Sequence, residues 1–400
     1  MLIPLLIFLG TYLVLAIGRL PGFRVDRTGA AIIGASLMIA FGVLSLEEAF
    51  QSINYETILL LFGMMIVVAN LRLSGFFGAV SAWVVEHAHR PLPLLCAIVL
   101  VSGVFSAFFV NDTMCLVLTP LVLEIVTRLQ RNPVPYLLAV AMAANIGSVA
   151  TITGNPQNMV IGTFSQIPYR LFVARLAPVA AFGLGLTIFV IFLMYRGEFT
   201  DQRRVEIGRQ RVRVNRVLLW KSLIAAAVMI VLFFAGWPVS KVAVVTGAAL
   251  LITRRVKPEK VYREIDWSLL VLFVGLFIVI AGIEKTSLSH DLTALATHFR
   301  LQQIGVLSFF SVIISNLVSN VPAVLVFKPL VAKLPNPFQA WLALAMSSTL
   351  AGNLTLLGSI ANLIVVERAR HAVKIPFGEY LKVGVPLTIS SVAVGVLLLR

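Results

Sequence analysis

The chain has 400 residues, of which 59% are hydrophobic and only 12% charged, against about 45–50% apolar and about 25% charged in soluble domains. The formal net charge is +15, but the basic residues fall in short segments between apolar runs (Arg19/Arg24/Arg27, Arg196 to Arg216, Arg254 to Arg263), the pattern of cytoplasmic loops. No basic domain stands apart from them, which argues against nucleic-acid binding, and the composition points to an all-α polytopic membrane protein.

In chain order, Met1 to Leu20 lacks a basic n-region and a small-residue cleavage site, so it is expected to be a retained first helix. Apolar spans follow at about 29–46, 55–73, 135–165, 170–195, 217–236, 239–253, 264–283, 338–370 and 378–399. Two further stretches, about 93–131 and 303–333, are too long for one span and carry a polar centre, which suggests helical hairpins. Segments 74–90 and 285–300 are amphipathic and suit the membrane surface. Cys96 and Cys115 lie in apolar runs and read as small buried hydrophobes.

The order of these pieces repeats, and so do residues. Ile53–Val67 aligns with Ile265–Val279 at an offset of 212, Val110–Leu121 with Ser319–Leu330 at 209, and Gly154–Ile161 with Gly358–Val365 at 204. The shared residues include Asn, Gly and Pro, which similarity of apolar helices does not explain. If each hairpin enters and leaves on one side, each half makes five crossings, and an odd number turns the second half upside down. The expected organisation is an inverted repeat, with residues 1–200 as the first unit, 201–216 as a basic cytoplasmic loop and 217–400 as the second unit. Basic residues then collect in 20–28, 74–92, 128–134, 196–216, 254–263 and 370–377 on the cytoplasmic side, and both chain ends face outward.

Four polar interruptions fall inside the spans: Asn111-Asp112-Thr113, Ser319-Asn320-Val321-Pro322, Thr153 to Asn158, and Gly352 to Asn362. Backbone can leave helical form at membrane depth only when buried in protein or lining a wet cavity. Broken helices expose N–H groups that suit an anion and carbonyls that suit a cation. The expected substrate-binding residues are therefore Asn111, Thr113, Asn158, Ser319, Asn320 and Asn362. The expected ion-coupling residues are Asn111, Asp112, Thr153, Gly154, Asn155, Ser319, Asn320, Gly358 and Ser359. Asp112 is the one carboxylate near an expected midplane tip; it binds the coupling ion, Na⁺ or H⁺, or caps the second hairpin arm, two roles that are compatible. Lys328 and Glu124 are far enough along their helices to reach the interface. Glu56, Asp266, Arg72, Lys221 and Glu367 sit near span ends and read as solvated or interfacial, and the i, i+2 spacing of His87 and His89 does not make a metal site on a helix. No P-loop, HExxH or GxSxG motif is present, so neither an enzyme nor a directly ATP-driven pump is expected, and no cofactor is implied.

The stretches TGNPQNMVIG, VNDT and VSNVPAVL resemble the ion transporter superfamily of divalent anion/sodium symporters, arsenite efflux permeases and sodium/proton antiporters, across essentially the whole chain. The similarity is greatest to its anion permease branch with GNPQN and SNVP motifs. In the dicarboxylate symporters both hairpin tips carry Ser-Asn-Thr, which bind substrate carboxylates and sodium. Here the first tip keeps Asn111 and Thr113 but inserts Asp112, as in the arsenite permeases, and the second keeps Ser319 and Asn320 but loses the Thr. The resemblance implies a homodimer and an elevator-type motion. The expectation is a secondary transporter of a small anion or oxyanion coupled to Na⁺ or H⁺. An arsenite or metalloid efflux permease, a Na⁺/H⁺ antiporter and, from another class, a channel are the alternatives.

Overall fold

A computed structural model describes residues 2–18, 22–88, 90–200, 213–286 and 299–400. The expectations placed on His89, on most of the 201–216 loop and on most of the 285–300 surface segment fall outside these residues, as does anything resting on the side chain of His87. The described chain is helical throughout. In the first half run α1 (Leu2–Ile17), α2 (Arg27–Ala40), α3 (Leu46–Ser52), α4 (Tyr55–Ser74), α5 (Phe76–His87), α6 (Pro91–Phe108), α7 (Asn111–Arg128), α8 (Pro133–Ser148), α9 (Pro156–Ser165), α10 (Tyr169–Met194) and the short α11 (Arg196–Thr200). The second half holds α12 (Arg216–Phe234), α13 (Val239–Leu251), the short α14 (Pro258–Tyr262), α15 (Trp267–Glu284), α16 (Ile304–Val318), α17 (Asn320–Val331), α18 (Pro337–Ala351), α19 (Ile360–Ala369) and α20 (Phe377–Leu399).

Among the described residues six helices are long and apolar enough to cross a membrane: α4, α6, α10, α12, α15 and α20. Their exteriors fit that role. Trp220, Ile224, Val228 and Val231 on α12 are all more than half exposed, an apolar surface that water would not tolerate but lipid does. The protein core instead gathers on α8 and α18, which are buried along almost their full length.

Both long apolar stretches expected to be hairpins are broken at their polar centres: α6 gives way to α7 at Phe109-Val110, and α16 to α17 at Ser319. The two expected broken helices are also interrupted, between α8 and α9 at residues 149–155 and between α18 and α19 at 352–359. Pro156 opens α9 at its first position, where a missing N–H costs nothing.

Sequence offsets reappear as packing. Helix α4 packs chiefly on α13 and α15 on α2; α6 packs on α8 and α16 on α18. The Asn54 side chain caps α4 by accepting from Thr57 N at 2.8 Å, and Asp266, 212 residues on, caps α15 by accepting from Leu269 N at 3.0 Å. Asp266 is thus a helix cap rather than merely a solvated charge. Similarly Arg72, read as solvated or interfacial, pairs with Glu264, and Glu124 pairs with Arg128 at 2.6 Å. Lys328 does not snorkel alone: it makes an ion pair of 3.0 Å with Glu284 and lies 4.5 Å from the Phe164 ring centroid.

Candidate functional site

Each broken helix is mended by one asparagine. At a break the last carbonyls of the first half-helix lose their intrahelical donors. The Asn158 amide, one turn into α9, donates to Ser148 O (3.1 Å) and Thr151 O (3.0 Å). Asn362, 204 residues on, donates to Gly352 O (2.6 Å) and Thr355 O (3.1 Å), which are the same carbonyls at the same offset. The restarting helices are capped alike: Asn155 accepts from Asn158 N at 2.8 Å, and Ser359 accepts from Ala361 N at 3.2 Å.

A second set of bonds ties the halves together. Asn145 on α8 donates to Asn362 Oδ1 (3.0 Å) and Asn353 Oδ1 (2.8 Å), and its own Oδ1 accepts from Ser359 Oγ at 3.2 Å. Its counterpart at offset 204 is Thr349, which donates to Asn158 Oδ1 at 3.4 Å and accepts from Asn155 Nδ2 at 3.1 Å and Gln157 Nε2 at 3.2 Å. These groups are fully or almost fully buried, so each bond forms in a poorly screened interior where an unmade one is costly.

The network also fixes which way its amides point. Backbone carbonyls only accept, so Asn362 and Asn353 (donating to Met142 O at 3.1 Å) must turn their NH₂ groups toward them. Their oxygens then face Asn145, which must supply its NH₂ to them and keep its oxygen as an acceptor. Asn111 Nδ2 donates to that oxygen at 3.0 Å. The Asn111 Oδ1 is left over, 3% exposed as a residue and without a partner; Asn320 Oδ1 on the other tip is unpartnered in the same way. The Asn111 backbone N–H donates to Gly154 O at 3.0 Å, which joins the first tip to the first broken helix.

All four interruptions meet at one cleft. Asn111, Asp112, Ser319, Asn320, Gln157 and Ser359 line it, with the helix starts at Pro156 and Ile360. The opposing wall comes from Leu15, Arg27, Leu269 and Leu272, at the end of α1 and the starts of α2 and α15. The cavity is about 40 Å³, room for roughly three waters, so this conformation suits an ion or small oxyanion better than a tricarboxylate. A larger cavity of about 460 Å³ lies at the other end of α15, bordered by Asn54, Glu56, Gln166, Glu284 and Lys328. The smaller one is the candidate site, because both tips and both helix restarts converge there.

Asp112 is the second residue of α7, partly buried, with no hydrogen bond or ion pair among the described residues. The capping alternative is not seen, since Val110 holds the cap position and no side chain caps α7. Ser319 has φ 78° and ψ 158°, a region that non-glycine residues enter at a cost of about 1–3 kcal/mol.

Of the residues expected in the site, Asn111, Asp112, Ser319, Asn320 and Ser359 line the cleft. Asn155, Asn158 and Asn362 are in the supporting network, and Gly154 serves it through its carbonyl. Thr153 bonds Tyr169 Oη at 3.1 Å, away from the cleft; Thr113 and Gly358 do not line it either. Sequence reasoning missed Asn145 and Thr349, placed Asn353 in a break but not in the site, and took Arg27 for a loop charge. The first two were within reach: extending the Gly154/Gly358 alignment nine residues upstream pairs Asn145 with Thr349.

Comparison with known proteins agrees with this architecture. The sequence profile of the citrate transporter family, CitMHS, matches residues 12–351. The rice (Oryza sativa subsp. japonica) silicon efflux transporter LSI3 is 32% identical, covering 97% of this chain and 95% of its own. A 46 kDa membrane protein of Mycobacterium leprae is 30% identical over 98% of this chain and 96% of its own. The crystal structure of the Alcanivorax borkumensis YdaH transporter shares the fold, with a TM-score of 0.63 at 14% identity over all of this chain and 96% of that one. The chain belongs to the citrate transporter (CitMHS) family, and is thus a multi-pass membrane transporter and not an enzyme.

Proposed function

We propose that the chain is a secondary active transporter of a small anion or oxyanion, coupled to Na⁺ or H⁺ and working by elevator-type alternating access as a homodimer. The observation that carries this reading is the convergence of two hairpin tips and two broken helices on one cleft. Four helix starts there bring partial positive charge and unpaired N–H groups toward a bound anion. The repeated bonds at offset 204 support an inverted pair of five-crossing units, each with a re-entrant hairpin, and the basic segments 196–216 and 254–263 support both chain ends on the non-cytoplasmic side.

Asp112 supplies the coupling. A charged carboxylate at membrane depth costs about 2.5–3.5 kcal/mol even on insertion scales, and this one has no protein partner among the described residues. Na⁺ or a proton neutralises it. Asn111, Ser319, Asn320 and Ser359 hold the substrate beside it, while Asn155, Asn158 and Asn362 keep the two restarting helices in place. Efflux of a metalloid oxyanion is the second reading; it is favoured by the 32% identity to a silicon efflux transporter and by the small cavity.

The test is uptake into proteoliposomes of a solute panel with Na⁺ and pH gradients imposed separately: citrate, phosphate and sulfate as anions, and arsenite and silicate, which are the uncharged hydroxy acids near neutral pH. One of the gradients should drive accumulation of at least one anion, and Asp112→Asn should abolish the gradient dependence. Channel-like flux that needs neither gradient, or an Asp112→Asn variant with unchanged Na⁺ and pH dependence, refutes the coupling.

A further inference from the structure

We propose that Arg27 is a substrate-recognising residue, whose guanidinium binds the anionic group of the transported solute; this rests on the anion-transporter reading above. Arg27 is the one cationic side chain among the described residues that line the cleft. Its backbone is fixed at the first turn of α2 by the Asp26 cap, which accepts from Gly29 N at 2.8 Å. Its side chain is fixed by a bond from Nε to Leu15 O at 3.1 Å. Asp26 is occupied by capping, and neither it nor Asp112 makes an ion pair with Arg27. The terminal guanidinium nitrogens thus have no protein partner among the described residues. Asp112 lines the same cleft but makes no ion pair with the guanidinium. Once Na⁺ or a proton neutralises it, the half-buried Arg27 beside Leu15, Leu269 and Leu272 favours an anion that completes it, and its planar fork matches a carboxylate or oxyanion.

The opposite wall narrows the class further. Asn111 Oδ1 and Asn320 Oδ1 are buried acceptors without donors, and the amide network prevents Asn111 from turning its NH₂ into the cleft. A solute that satisfies both walls carries an anionic oxygen for Arg27 and an O–H group for Asn111, the one tip amide whose orientation the network fixes. Partly protonated oxyanions and small hydroxycarboxylates fit; fully deprotonated sulfate does not. Arg27 belongs to α2, which packs on α15 and α1 rather than on the tip-bearing helices. In an elevator motion the tips leave it behind, so the Arg27 contact is made only in the conformation seen here and is released on crossing.

The experiment uses the full chain in proteoliposomes. Initial rates are measured for citrate, phosphate, sulfate, arsenite and silicate with wild type, Arg27→Gln and Arg27→Lys, with the thermal midpoint of each variant recorded as a fold control. For the anions that wild type carries, Arg27→Gln should raise KM about tenfold or more with a smaller change in kcat. Arg27→Lys, which keeps the charge and loses the fork, should fall between them, and sulfate should be the poorest substrate. A KM within twofold of wild type in either folded variant, or sulfate as the preferred substrate, overturns the inference while leaving the transporter reading intact. If Arg27→Gln does not fold, Arg27→Lys alone decides it by the same KM criterion. A wild type that carries none of the panel overturns both, and that failure shows in the wild-type arm before any variant is compared.

Discussion

At the scale of single residues, the buried amides show how a membrane protein keeps irregular backbone without exposing it. Asn158 and Asn362 take up the carbonyls that each break releases, and Asn145 and Thr349 lock those asparagines across the halves. Removing Asn145 orphans Asn111 Nδ2, Asn353 Oδ1 and Asn362 Oδ1 together. Each buried orphan costs about 1–3 kcal/mol, and partial relaxation brings the expected loss for Asn145→Ala to about 2–4 kcal/mol. Gln51→Ala, at an exposed side chain bonded to Glu47, should cost less than about 0.5 kcal/mol. Thermal midpoints in detergent compare them, and equal midpoints would remove Asn145 from the frame of the site. Asn145 was hard to read in the sequence because a lone amide in an apolar run has no local signature; its meaning comes from partners 208 and 217 residues away. Arg27 was misread for the opposite reason, since Arg19 and Arg24 beside it made it look like one more loop charge. Gly154, Pro156 and the neighbouring amides were legible because each is locally wrong for an apolar helix.

At the scale of helices, close approach at small residues sets the packing. A Cβ on Gly63 of α4 would lie 2.4 Å from the Ala243 carbonyl carbon on α13; one on Gly275 of α15 would lie 2.7 Å from that of Ala31 on α2. Both members of the second pair stand 212 residues from the first, the offset that aligned Ile53–Val67 with Ile265–Val279. The sequence alignment therefore recorded a contact, although nothing in it said which helix the glycine faced. Small residues let backbones meet where lipid gives no hydrophobic drive for association. The obstacle at Gly275 is main chain and cannot rotate away, so Gly275→Val should destabilise by about 1–3 kcal/mol. Gly185→Ala on α10, where nothing lies within 4 Å, should be neutral or slightly stabilising. If Gly275→Val keeps the wild-type melting midpoint, the α2–α15 contact is looser than this packing implies.

At the scale of the whole molecule, the two cavities lie at opposite ends of α15, one at Leu269 and Leu272, the other at Ile280 and Glu284. The cleft between the tips belongs to the first. The second is bridged by the Lys328–Glu284 pair, which joins the tip-bearing α17 to α15. Both partners are about a quarter to a third exposed, so the pair is screened and its contribution is modest, yet it acts only while α17 and α15 keep this register. The elevator motion proposed above, in which the tips slide along α15 toward the larger cavity, would break it. Lys328→Met keeps the stem against Phe164 and removes the charge, so it should shift the population away from the present conformation. A modest contact can bias such an equilibrium only by its difference between the two states, about 1 kcal/mol or less here, a severalfold change in occupancy. The readout is labelling of a cysteine at Val321, which lines the cleft, by an impermeant thiol reagent added to either face, with Cys96 and Cys115 replaced by alanine. Wild type should react chiefly from the face bearing residues 254–263. Lys328→Met should react severalfold faster from the opposite face, and Glu284→Gln should do the same. Equal labelling in all three proteins would mean that the Lys328–Glu284 pair does not bias the proposed transition.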